Sequence, residues 1–172
     1  MRMNKKGISP LIATVLIIGF TIVLSALVIT WGTGLFKKTV ASTETLSKFN
    51  ILCTNEIDFD GAAKYHQNGN TLQVTANNKK ATSIYGFFFT VKGKDATGAD
   101  LPTKTFTTHT DIGQGTGITN PVPPALQLDA FGTRLYEMNA GSGYDSVDLR
   151  AIVKLDTGER SICDNAINII VQ

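Results

Sequence analysis

Charge is missing where a soluble protein would scatter it: residues 8 to 36 contain no Asp, Glu, Lys, Arg or His, although the chain holds 16 basic and 14 acidic residues. Basic runs never exceed two residues, as at Lys37-Lys38 and Lys79-Lys80, and no basic stripe is interleaved with aromatics, which argues against a nucleic-acid partner. Histidine is nearly absent too. His66 and His109 lie 43 residues apart without Cys or Glu at ligand spacing, so both read as surface residues and no metal is expected. Asp58-Phe59-Asp60-Gly61 echoes a calcium loop but lacks its third acidic position and distal Glu, and reads as a turn. Neither a Gly-x-Ser-x-Gly elbow, a readable carboxylate pair nor a Cys/His nucleophile set is present. No cofactor is implied, and the chain is expected not to be an enzyme. Asn-x-Ser/Thr is absent as well, so N-glycosylation of the usual kind is not expected.

With 172 residues there is room for about one ordinary domain beside a non-globular segment. That segment is the charge-free run. It follows Arg2, Lys5, Lys6 and Gly7, and from Ile8 to Trp31 it would form a helix of about 36 Å, longer than the ~30 Å hydrocarbon core of a bilayer. A secretory signal peptide has an apolar core of only about 7 to 15 residues, so this run is too long for one. A plain signal anchor fits by composition. In either orientation argument the cations at the start outweigh Lys37 and Lys38 on the far flank, which places the N-terminus in the cytoplasm and the remainder outside. Ser9 can cap the helix through its hydroxyl, and Pro10 suits the first helical position. Farther along, Ala26, Thr30 and Gly34 recur every fourth residue as a narrow small-residue strip suited to close helix packing. Gly32 and Gly34 are expected to loosen the helix before it continues to about Lys48.

The junction Lys5-Lys6-Gly7-Ile8-Ser9-Pro10 resembles the class III signal of archaeal type IV pilins. The resemblance implies a leader of residues 1 to 7, cut between Gly7 and Ile8 by a prepilin peptidase. It further implies a transmembrane and assembly helix at 8 to 48, and an extracellular head at 49 to 172. The implied partners are further copies of the chain, the peptidase, the pilus assembly machinery, and the membrane before assembly. The implied product is a surface filament, with adhesion its usual role. Archaellin is the nearest alternative, and a signal-anchored ectodomain that binds a ligand without polymerising is another. Bacterial pilins carry a glutamate five residues into the mature chain. Here Ile12 holds that place, so a bacterial-type salt bridge between subunits has no donor of charge.

From about Phe49 the apolar period becomes two. Leu72, Val74 and Ala76 alternate with Gln73 and Thr75 after the turn Asn68-Gly69-Asn70, which predicts a hairpin with residues 63 to 67. Val147, Leu149, Ala151, Val153 and Leu155 alternate likewise, and Asp156-Thr157-Gly158 reverses the chain into residues 160 to 163. Residues 84 to 91, with Phe87, Phe88 and Phe89, read as a strand buried on both faces, and residues 166 to 171 as a separate last strand. Residues 110 to 125 read as a surface loop; Gly113, Gly115 and Gly117 precede no helix and make no phosphate cradle. The expected fold class is α+β, a long apolar helix followed by an antiparallel, immunoglobulin-like β-sandwich. Cys53 and Cys163 fall in the segment placed outside the cell, where a disulfide is favoured over two buried thiols.

Overall fold

A computed structural model describes residues 10–67, 69–113, 115–119 and 126–172. The chain divides into two compact units, residues 1–45 and 46–172.

The first unit is helical. Helix α1, Pro10–Ile51, begins in it and runs unbroken through Gly32 and Gly34, so these glycines do not loosen the helix as the sequence suggested. The helix also passes Lys48 by three residues. A glycine costs only about 1 kcal/mol in a helix interior, too little for two of them to break a helix of 42 residues. In lipid the cost of an unpaired backbone group would be larger still, which favours an unbroken ladder.

The second unit is a sandwich of two sheets. The three-stranded sheet has the order β1 (Phe59–Tyr65), β2 (Thr71–Asn78), β6 (Thr133–Asn139). The five-stranded sheet has the order β5 (Thr116–Gly117), β4 (Lys104–Thr107), β3 (Gly86–Gly93), β7 (Tyr144–Lys154), β8 (Arg160–Ile170). Among the described residues every ladder is antiparallel except β4 with β5. By order of strands this is an immunoglobulin-like arrangement, with β1, β2 and β6 in the places of A, B and E, and β3, β7 and β8 in those of C, F and G. The expected α+β class holds, with one parallel pair added at the edge.

Alternation produces this sandwich directly. In β2 the side chains of Leu72, Val74 and Ala76 are fully buried while Gln73 and Thr75 face outward. The expected hairpin pairs Tyr65 with Leu72 through Phe59 with Asn78, and Gly69 supplies the positive φ of its turn. Between the sheets Phe87 meets Phe59 edge-on at 5.2 Å and Tyr136 at 5.3 Å. Such contacts add to the area that each ring removes from water. The Tyr136 hydroxyl donates to the Leu126 carbonyl, and burial pushes its phenol well above the ordinary range.

Three expectations change. Phe88 is only half-buried; it lies on the outer face of the five-stranded sheet, where the backbone at Gly113 and Gly115 covers its ring. Residues 160 to 163 and 166 to 171 are not two strands. Residues 160 to 163 and 166 to 170 belong to β8, interrupted by a bulge where Arg150 pairs with Ala166 but Ile152 with Ile162, and the extra residues break the period that sequence reading relies on; Val171 lies just past the strand. The loop at 110 to 125 is in part structured: Thr116–Gly117 pairs with β4, the Ile118 amide donates to the Thr107 carbonyl, and the Thr119 amide donates to the Glu137 carbonyl in β6. Its residues 114 and 120–125 lie outside the described residues.

These bonds strap one side of the sandwich. On the opposite side Ala63 of β1 bridges Val171, and the Gln172 amide donates to the Ala63 carbonyl. Both sides at which the two sheets could part are thus joined by the chain itself.

On the outer face, Asp148 accepts from the Asn168 amide at 2.7 Å and pairs with Lys92 at 2.5 Å. The amide first, and the ammonium second, hold this carboxyl below its ordinary range. A depressed folded-state pKa gives stability that is complete above the unfolded value near 4 and is lost as pH falls through the folded value. Because Lys92 is half exposed, Asp148→Asn is expected to cost no more than about 1 kcal/mol at pH 7. The same variant should differ less from wild type at pH 3, as read from urea midpoints at both pH values; an equal loss at both would contradict the linkage.

Candidate assembly surface and neck

In the first unit the side chains of Leu11, Val15, Ile18, Phe20, Ile22, Leu27, Ile29 and Trp31 are all exposed, on every side of the helix. None of its most apolar stretch is buried, so this helix is long and apolar enough to cross a membrane and is compatible with a single-pass anchor. Its few hydroxyls are already satisfied. Thr14 donates to the Leu11 carbonyl, Thr21 to Ile18, Ser25 to Thr21, Thr30 to Ala26 and Thr33 to Ile29, all at 2.7 to 2.9 Å. A hydroxyl bonded back onto its own helix presents little unpaired polarity to hydrocarbon.

Ala26, Thr30 and Gly34 stand one turn apart on this helix, and the Thr30–Ala26 bond turns the polar atom of the strip toward the backbone. A Cβ placed on Gly34 would meet nothing within 4 Å, so the backbone is open there to a close neighbour. Pro10 is the first described residue of α1. Gly7, Ile8 and Ser9, which carry the expected cut and helix cap, lie outside the described residues.

In the second unit the last turn of α1 buries Phe49 and leads into a π-helical turn, Leu52–Glu56, which ends when the Ile57 amide donates to the Leu52 carbonyl at 3.1 Å. The wider turn carries Cys53 to β8. Cys53 and Cys163 form the expected disulfide, with Cα atoms 5.6 Å apart across 110 residues. Beside the bridge, a groove of about 330 Å³ is lined by Leu46, Phe49, Asn50, Ile162 and Asp164 among others. A second groove, of about 170 Å³, includes Ile57, Asp58, Phe59 and Ile167.

The remaining sequence candidates resolve into structure. Asp58-Phe59-Asp60-Gly61 is not a turn but the entry into β1, where Asp60 takes a bond from Asn77 and pairs with Lys79 at 3.0 Å. His66 is exposed as expected. His109 is instead half-buried: it stacks on Tyr85 at 4.3 Å, and its Nδ1 lies 2.8 Å from the Thr108 hydroxyl. Burial lowers its pKa against the opposing pull of Asp111. Among the described residues no three His, Cys, Asp or Glu side chains gather as a metal site.

One residue went unread. Phe131 is 70% exposed and sits at φ 53°, in the left-handed region that bulky side chains avoid. Such a conformation costs about 1 to 2 kcal/mol and persists only when the surroundings impose it. Here they do. The buried amide of Asn78 donates to the carbonyls of Asp129 and Thr82, the Phe131 amide donates to the Lys80 carbonyl, and the Gly132 amide closes onto Asp129. The only trace in the sequence is an aromatic in a turn-like Asp129-Ala130-Phe131-Gly132 segment.

No protein-family model matches the chain. An uncharacterised protein of Methanocaldococcus jannaschii is 45% identical over 42 residues, 24% of this chain and 12% of that protein. The match therefore spans about an eighth of that relative's length.

Proposed function

We propose that this chain is a structural subunit rather than an enzyme. After export it is held in the membrane by α1, is cut between Gly7 and Ile8 by a prepilin peptidase, and is added by a pilus assembly machinery to a type IV pilus-like surface filament. Helices form the filament's core and heads its surface, with adhesion the expected role. The supporting observation is a helix that is apolar on all sides with its hydroxyls bonded inward, a surface equally suited to lipid and to other copies of itself. The small strip Ala26, Thr30, Gly34 offers one line of close approach. Removal of Arg2, Lys5 and Lys6 with the leader leaves 13 basic residues against 14 acidic ones and a helix start without charged side chains.

The test is negative-stain imaging of surface filaments combined with mass spectrometry of their subunit. A filament subunit starting at Ile8 is expected. A chain found only in the membrane with its leader retained would favour a non-polymerising, signal-anchored ectodomain instead.

A further inference from the structure

The turn that carries Phe131 and the groove beside the disulfide lie on opposite sides of the same sandwich. Phe131 precedes β6, the outer strand on the side strapped by residues 116 to 119. The groove flanks β8, on the side closed by Ala63 and Val171. Both belong to the end at which the chain enters the head, because the Lys79 amide donates to the Asp58 carbonyl and the Thr82 hydroxyl to Glu56. An exposed apolar knob on one side and a recess on the other cannot satisfy each other within one head.

In the Phe131 turn the exposed Asp129 is paired with Arg134 at 3.9 Å, and Lys80 contributes a further positive charge. The exposed ammonium of Lys80 adjoins Phe131, whose amide bonds to the Lys80 carbonyl. Asp164 lines the larger groove and Asp58 the smaller, and no cation is among the residues lining either. We propose that the head of a second copy of this chain occupies the groove: Phe131 of one copy enters the recess lined by Leu46, Asn50 and Ile162 of the next, with Lys80 set against Asp164.

Knob and recess on different surfaces make a heterologous contact, which repeats from copy to copy and generates an open helical array unless rotation closes it into a ring. The inference rests on the filament reading and adds a head-to-head contact to the helix packing. It also gives the strained backbone at Phe131 a use, since the turn holds the ring away from its own head.

The experiment uses the full-length chain in cells that assemble it. Phe131→Gly removes the knob and suits the left-handed backbone, so the head should melt no lower than wild type while filaments fall at least tenfold in number. Lys80→Glu and Asp164→Lys should each reduce filaments severalfold, and the double exchange should return them to within about twofold of wild type. A photoreactive phenylalanine analogue at position 131 should cross-link to a neighbouring copy within residues 46 to 54 or 161 to 165. Wild-type numbers of Phe131→Gly filaments, or cross-links elsewhere, overturn the contact and leave the filament reading standing. Absence of filaments from the wild-type chain overturns both.

Discussion

Gly7→Glu is expected to leave the precursor inserted, with its head folded, and to abolish surface filaments. The peptidase implied by the pilin resemblance needs a small residue at the cut, so the leader with Arg2, Lys5 and Lys6 would stay attached. Each cation drawn into a dry helical core costs about 3 kcal/mol even on the milder insertion scales, a factor above 100 in the assembly equilibrium. On the proposed reading, lipid headgroups and cytoplasmic water would satisfy those charges at the membrane surface, and the uncut chain would stay there. Gly7→Ala serves as the control that keeps a small side chain and should be processed. The readout is the N-terminal sequence of the accumulated subunit together with filament counts. Normal filaments built from uncut chains would refute the processing step, and a wild-type subunit beginning anywhere but Ile8 would refute the assigned site.

The second large effect concerns the bridge between the neck and β8. Replacing both Cys53 and Cys163 with serine should destabilise the head by about 4 to 5 kcal/mol in the chain-entropy model, because the bond closes a loop of 110 residues. For a head of this size that corresponds to a fall in Tm on the order of 15 °C. Thermal melts of the two forms would check it, alongside peptide mapping without reductant, which should recover the Cys53–Cys163 pair. Free alkylation of both thiols in the native exported protein would sink the prediction. Loss of the bond should be felt first at the end of α1, where Phe49 and the π-helical turn are held against the β8 region.

How far the sequence could be read depended on what each residue packs against. In β2 and β7 one face meets the opposite sheet and the other meets solvent, so Leu72, Val74, Val147 and Leu149 fall on alternate positions and the strands were legible. The apolar helix was legible because exclusion of charge over nearly thirty residues has few physical causes. The single strand β8 was not, because its bulge shifts the register and hides continuity from a period-two pattern. Residues 116 to 119 carry no apolar alternation at all; main-chain bonds to Thr107 and Glu137 hold them, and main-chain atoms leave no signature in side-chain identity. Phe131 was the least readable, since its conformation is imposed by Asn78, a residue distant in sequence that holds the last inward position of the β2 alternation. Ser9, Gly7 and Ile8 remain readable through the resemblance alone.

The straps on the two sides of the sandwich bear on what happens when many heads share one small volume. Tethered modules meet at effective concentrations on the order of millimolar. At such densities an unpaired strand edge is a template, and neighbouring domains can trade strands or fuse into a common sheet. Here the chain's own Thr119 reaches Glu137 on one flank, and Gln172 reaches Ala63 on the other. Each flank therefore carries a main-chain link between the two sheets, and a strand there must break a bond to its own head before it can pair with a neighbour, which opposes strand exchange as crowding raises the frequency of collision. Neighbouring heads can touch through side chains and still unfold and refold as separate bodies.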